Sequence, residues 1–396
     1  MTNFNRNILF FIMITILFIA GSCSKDRQGP GIEWEKTYGG TDADWFLSVS
    51  EASDGGYIMA GYTNSYGAGS WDMYIIKTDE NGNEQWSKTY GGVDNDQARS
   101  MIQTEDGGYI IIGHTCSFGA GGADIYLIKT NSNGDSLWTR TYGGSGDEFA
   151  CSITKTVDNG YLIAGQTNSF GSGGDDIWVI KINNNCDTVW TKTFGGTDKE
   201  FCRSIQQTSD GGYIIGGVTR SFGAGSDDIY VIKIDENGNK LWDRTYGEWW
   251  QEWGSVQQTS DGGYMIIGFS NSFGGDENVN DIYLIRIDDG GDTAWTKVYD
   301  NYAWDNPMKF LQTPDDYFIA VGFAGRFNDP NNDVYLMKFD KLGNLVWDRT
   351  FGGSGWEWGM AVMSTSDGGY IIAGCTDSFG AGSGDCYLIK TEPDVE

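Results

Sequence analysis

The sequence predicts an all-β fold, a seven-bladed β-propeller built from four-stranded antiparallel blades. Three observations carry this. A tryptophan-headed segment recurs seven times at a nearly fixed spacing. Each interval holds four strand-like runs joined by glycine-rich turns. The two ends of the chain each carry part of one repeat.

The recurring segments are WEKTYGG, WSKTYGG, WTRTYGG, WTKTFGG, WDRTYGE, WTKVYDN and WDRTFGG. They begin at Trp34, Trp86, Trp138, Trp190, Trp242, Trp295 and Trp347, 52 residues apart except for 53 between Trp242 and Trp295. A fixed period of this size marks a solenoid, an array or a propeller. In the fourth unit the strand-like runs are FCRSIQQT, GYIIGGVT, DIYVIKID and KLWDRTYG, joined through SDGG, RSFGAGSD and ENGN. Asp-Gly and Asn-Gly between apolar runs are hairpin signals, because glycine accepts the positive φ such turns need. No stretch after the leader sustains a helical period, so seven units of four antiparallel strands read as a propeller. An isolated IEWEKTYGG strand precedes the first unit, and the last ends at DCYLIKT without a tryptophan strand. The N-terminal strand is therefore expected to complete the last blade and close the ring.

Over residues 32–391 the chain resembles bacterial β-propeller repeat proteins with SBBP-like, quinoprotein-like or Kelch-like units. The shared elements are DGGYIIAG, SFGAG, D-Y-L-I-K and NGN followed by tryptophan. DENGNEQW at 79–86 also resembles the tryptophan-docking motif of quinoprotein-type propellers, one residue shorter between Asp and Trp. The resemblance implies the fold and assigns no activity, since propellers host many functions. Quinoprotein dehydrogenases often use adjacent cysteines near the cofactor; this chain has none, and no quinone or other cofactor is expected.

The leader MTNFNRNILFFIMITILFIAGSC has one basic residue, Arg6, an apolar run from Ile8 to Ala20, then small residues and a cysteine. That is the layout of a secretory signal, with an apolar run too short for a comfortable transmembrane helix. AGSC at 20–23 resembles a bacterial lipobox, with Ala20 where leucine is usual. The expected division is a signal peptide at 1–22, a lipidated Cys23 and tether at 23–31, the propeller at 32–391 and a tail at 392–396. The expected location is the bacterial cell envelope, with the outer-membrane surface as one option. Twenty-six Lys plus Arg against 55 Asp plus Glu give a net charge of −29. So acidic a chain is a poor partner for nucleic acid or an anionic membrane, leaving the lipid anchor as its expected membrane contact.

Positions shared by all seven units read as scaffold. Asp72, Asp124, Asp176, Asp228, Asp281, Asp333 and Asp385 open the third strand, and a base follows five residues later, from Lys77 to Lys390. Another base, from Lys36 to Arg349, lies two residues after each tryptophan. The tryptophans are expected to wedge between blades, where their area contributes most to burial, and the charges to pair within or between blades. Asp44, Asp96, Glu148, Glu200, Glu252, Asp305 and Glu357 lie ten residues after each tryptophan. They either ring one channel mouth or accept backbone N–H bonds in their own turns; the second reading is favoured.

Single units depart from this pattern on one face. GEWWQEW at 247–253 gains tryptophans where other units have a Gly-Gly loop. DNYAWDNPMKF and GGSGWEWGM follow in the next two blades, and the companion loops at 274–281 and 325–333 also deviate. Trp45, Trp253 and Trp358 occupy a position that is Phe149 and Phe201 elsewhere, and are read as core. Trp249, Trp250, Trp304 and Trp356, with Tyr302, Glu252 and Glu357, form the candidate ligand-binding set. Exposed tryptophans clustered in one sector are costly unless something covers them, although drift would also produce them. Flat aromatic faces beside carboxylates suit a glycan, and a protein partner fits equally. The alternatives are a polysaccharide-degrading enzyme using acids such as Glu252 and Glu357, or a scaffold subunit of an envelope complex.

Other chemistry finds little support. His114 is the only histidine; it cannot build a multi-histidine metal site and is read as a core or rim residue. No catalytic residue and no metal ligand set is assigned, with calcium at GGDENVND left open. Beyond Cys23 there are Cys116, Cys151, Cys186, Cys202, Cys375 and Cys386. Cys375 with Cys386, and Cys116 with Cys151, are candidate neighbours, with free thiols equally open.

Overall fold

The computed structural model describes residues 29–273, 279–299, 304–325 and 331–394. The leader with Cys23, Tyr302 and the loop tips at 274–278 and 326–330 lie outside the described residues. Twenty-eight strands, β1 to β28 in chain order, form seven four-stranded antiparallel sheets among the described residues. Blade 1 consists of β2 (Asp44–Glu51), β3 (Tyr57–Thr63), β4 (Asp72–Thr78) and β5 (Glu84–Tyr90), in spatial order β2-β3-β4-β5. Blade 7 ends on β28 (Asp385–Thr391), against which the N-terminal strand β1 (Ile32–Tyr38) pairs antiparallel. This closure from both chain ends is the one the split repeat predicts. The first strand of every blade touches its counterparts in both neighbouring blades, so these strands line the axis and the tryptophan strands lie outermost.

The apolar core is divided. Seven buried clusters occur among the described residues, and each draws on two adjacent blades. One joins Ile58, Ile75 and Met73 of blade 1 to Tyr109, Ile111 and Ile128 of blade 2. No blade buries its own faces; each is completed by its neighbours, which is how repeat architectures gain stability.

The outer tryptophans fix that stacking. Trp34 packs against Tyr57 of blade 1 with ring centroids 5.9 Å apart and lies over Gly82 in that blade's NGN turn, where a Cβ would meet the indole at 2.7 Å. Trp86 stands over Gly134 in the same way. A tyrosine four residues after five of the seven tryptophans completes the joint, with Phe194 and Phe351 in the other two: Tyr38 donates to the Gly82 carbonyl at 2.6 Å and Tyr246 to the Gly291 carbonyl at 2.6 Å. The turn glycine is thus required twice, for its positive φ and for the space above it. Blade 3 carries Cys186 there instead, held at φ 60 and accepting from Tyr142 at 3.0 Å.

The base of the third strand, a lysine in six blades and Arg286 in blade 5, is largely buried and ties its blade together. Lys77 bonds Asp54 at 2.8 Å and the Thr78 carbonyl at 2.8 Å; Lys181 pairs with Asp158 and Lys390 with Asp367, both at 2.7 Å. In blade 6, Lys338 instead takes Asp394 of the C-terminal tail at 2.8 Å, and that carboxylate also accepts from Trp347 and Tyr370 of the two last blades. The second base bridges blades, as in Lys88 with Asp135 at 3.0 Å.

Two outcomes are expected. Gly134 has φ 77 with Trp86 above it, whereas Gly55 has φ 86 and no atom within 4 Å of a would-be Cβ. Gly55→Ala should cost about 1–2 kcal/mol in urea unfolding, and Gly134→Ala a further 1–3 kcal/mol or so for overpacking; equal costs would remove the wedge from the argument. The second outcome concerns pH. Hydrogen bonds from Lys129 and Thr104 hold Asp106 at about 2. At Asp158 and Asp367, burial acts upward and is outweighed by Lys181 and Lys390, leaving both at about 2. Folded values below the ordinary 3.8 give stability that is present above pH 4 and lost as pH falls toward 2. The melting temperature of wild type should drop across that window more steeply than that of Asp106→Asn/Asp158→Asn/Asp367→Asn.

Candidate binding site on the loop face

The loops between outer and inner strands share a face with those between second and third strands, and carboxylates stitch the two sets together. Asp44 accepts from the Gly40 N–H at 2.8 Å, from Ser65 Oγ at 2.7 Å and from Thr63 Oγ1. Glu148 and Glu200 repeat this with Gly144 and Thr167, and with Gly196 and Thr219. All seven acids of this series are 0% exposed, so the ring of acids is internal to the blades, and those of blades 1 to 5 and blade 7 hold their own turns.

This corrects the assignment of Glu252 and Glu357 as ligand contacts. Glu252 accepts from the Glu248 N–H at 3.2 Å and Ser270 Oγ at 2.7 Å, and burial raises its pKa against those bonds. Glu357 accepts from the Gly353 N–H at 2.9 Å, Thr376 Oγ1 at 2.8 Å and the Ser378 N–H at 3.2 Å. Both side chains are committed to holding loops, with no face left for a ligand.

Trp249 and Trp250 are 78% and 50% exposed, on a backbone that is firmly held. The Trp250 N–H donates to Ser272 Oγ at 3.0 Å, and its carbonyl accepts from the Ser226 hydroxyl at 3.0 Å and N–H at 3.1 Å. Gln251 donates to Asn271 Oδ1 at 2.7 Å. Two large apolar rings thus project from a loop tied to blades 4 and 5. Trp304 opens its strand opposite Gly325 in blade 6; its side chain, like Tyr302, lies outside the described residues.

Trp356 belongs elsewhere. It is half-buried, 5.3 Å from Trp358 and 5.7 Å from Trp45 between ring centroids. Trp358 meets Trp45 at 5.2 Å and Phe323 at 5.0 Å, while Trp45 stacks on Tyr62 at 5.7 Å and Tyr62 meets Trp71 at 5.0 Å. This aromatic belt runs from blade 6 through blade 7 to blade 1. Trp45, Trp253 and Trp358, read as core from the sequence, are half-buried on the innermost strands and so form the collar of the axial channel. The Trp253 N–H donates to Asp227 at 3.0 Å, whereas the buried indole nitrogens of Trp45 and Trp358 have no hydrogen-bond partner among the described residues. Tyr62, Trp71 and Phe323 escaped the sequence reading. Pairing Trp45 with its cross-strand partner would have found Tyr62.

His114 is buried, edge-on to Phe149 at 4.8 Å, and burial with the nearby Arg99 charge holds it neutral at about 3. The six cysteines beyond the leader are free. Cys375 and Cys386 are direct cross-strand partners, as expected. Cys116 is exposed, and Cys151 hydrogen-bonds instead with Cys202 of the next blade.

The geometry defines a closed seven-bladed propeller, and solved structures share the propeller fold. The chain is similar to the Pan2 WD40 domain of Neurospora crassa (11% identity, TM-score 0.50, covering 91% of this chain and 99% of that one). It is also similar to Sqt1 from Chaetomium thermophilum (11%, 0.50, 92% and 99%) and to BBS1N from its complex with ARL6DN (10%, 0.51, 92% and 97%). At such identities the likeness is one of fold. In sequence, 152 residues are 27% identical to regulatory protein FlaEY of Caulobacter vibrioides, covering 32% of this chain and 16% of that protein. No family profile matches the chain.

Replacing Glu357 by Gln puts an amide where two N–H groups and a hydroxyl converge. Thermal unfolding should show a loss of about 1–3 kcal/mol; an unchanged melting temperature would return Glu357 to the list of ligand contacts.

Proposed function

We propose that this protein is a noncatalytic binding propeller of the bacterial cell envelope, lipid-anchored through Cys23, that grips a glycan with Trp249 and Trp250. The observation that carries this reading is the exposure of two adjacent indoles on a loop whose backbone is already hydrogen-bonded in place. Ordering a binding surface before contact removes part of the entropic cost of association. Flat rings held this way suit stacking against the C–H faces of sugars. The burial of Glu252 and Glu357 weighs against hydrolysis, which needs two accessible carboxyl groups flanking the scissile bond.

A protein partner is the second reading, favoured by one structural neighbour: BBS1N was solved in complex with ARL6DN. Aromatic anchors at the centre of such interfaces carry most of their binding energy.

A glycan array probed with the purified protein and with Trp249→Ala/Trp250→Ala decides between them. Binding to defined glycans, weakened at least about 10-fold in the double variant, is the expected result. A folded wild type that binds no glycan would abandon that ligand class. Retained binding in the double variant would move the site away from this loop.

A further inference from the structure

The inner strands hold a second feature, independent of Trp249 and Trp250. Six of the seven carry a β-bulge, whose extra residue is Leu47, Arg99, Cys151, Arg203, Met308 or Met360. A bulge re-aims its side chain, and here the six share one level of the channel wall. Lys309 of blade 6 directly follows its bulge. The charges of Lys309, Arg203 and Arg99 all act on the Cys151 thiol. Arg99, Cys151 and Arg203 stand at equivalent bulge positions on three adjacent inner strands, which sets two cations on either side of the thiol along the channel wall. The Lys309 charge bears on the same thiol from blade 6, three blades round the ring.

They are short of counterions. The protein carries a net charge of −29, yet none of Arg99, Arg203 and Lys309 forms an ion pair among the described residues. Among the described residues Arg99 reaches only Gln97 Oε1, at 3.4 Å. Arg203 lies over the Trp253 ring at 5.1 Å. That ring belongs to β18 (Glu252–Gln258), the one inner strand without a bulge. Burial pulls the Arg203 guanidinium below its usual range, and Arg99 adds to the shift. Grouping partly buried cations without a carboxylate is costly, and none is paired with them among the described residues. Nearer the loop face lie the indole N–H groups of Trp45 and Trp358, unpartnered among the described residues.

We infer that the axial channel is an oxyanion site, in which Arg99, Arg203 and Lys309 receive a carboxylate or sulfate carried on the slender end of a ligand that enters past the aromatic collar. Guanidinium groups are suited to either oxyanion through paired N–H donors. The collar of Trp45, Trp253, Trp358, Phe149 and Phe201 supplies ring faces and edges for the remainder of that ligand. The chain's overall negative charge repels anions at long range, so the site selects by shape and short-range hydrogen bonding rather than by steering.

The test is thermal unfolding and calorimetric titration of the purified protein with D-glucuronate, glucose 6-sulfate and D-glucose. Sodium chloride at matched ionic strength removes general screening. Glucuronate or the sulfate ester should raise the melting temperature by about 2–5 °C at saturating concentration; glucose should not, and the larger effect identifies the preferred oxyanion. Arg203→Gln and Arg99→Gln should abolish the shift while melting no lower than wild type without ligand, because each removes a poorly compensated charge. Trp249→Ala/Trp250→Ala should keep it, so failure of the glycan reading on that loop leaves this site standing. No anion-dependent shift in wild type, or a shift that survives in both arginine variants, overturns the inference.

Discussion

The structure depends on the joint between blades, where an outer-strand tryptophan lies over the turn glycine of the next blade and a tyrosine hydroxyl bonds that glycine's carbonyl. A four-stranded blade exposes two apolar faces and cannot bury either alone. Every buried cluster accordingly draws on two blades, and the joint sets the distance at which those faces meet. Closing the ring with β1 on β28 removes the last unmatched pair of faces. The C-terminal tail reinforces that region, since Asp394 accepts from Trp347 and Tyr370 across the final two blades.

With stability placed between blades and in the buried lysine pairs, the loop face is free to vary. The internal carboxylates make this possible by tying each loop to its own blade. Blade 5 keeps the stitch through Glu252 and Ser270 while its loop replaces glycine with tryptophans. The departure at GEWWQEW is therefore a change of what a conserved geometry displays, not a local loss of structure. The same separation operates along the axis. The bulges fix the backbone of six inner strands, and their extra residues range from Leu47 to Arg203 without disturbing the sheets.

The blade count, the strand order and the split closing blade were legible in the sequence because a strict repeat projects geometry directly onto spacing. Scaffold charges were legible for the same reason: a residue needed once per blade recurs once per blade. Glu252 and Glu357 were misread because their neighbours in sequence are tryptophans, whereas their neighbours in space are N–H and hydroxyl groups of their own turns. Trp356 was grouped with Trp249 by loop position, although it packs into the channel collar.

The sequence by itself determined the period, the turns and hence the propeller, since these follow from local backbone preference and from repetition. Tertiary structure alone decided which side chains meet along the channel wall. Arg99, Cys151, Arg203 and Lys309 lie in four different blades, in segments that look unremarkable one at a time. Only the closed ring sets Arg99, Cys151 and Arg203 at equivalent bulges of adjacent inner strands and turns the Lys309 charge of blade 6 toward that thiol. Convergence of that kind is a property of the circle and has no counterpart in the spacing of residues along the chain.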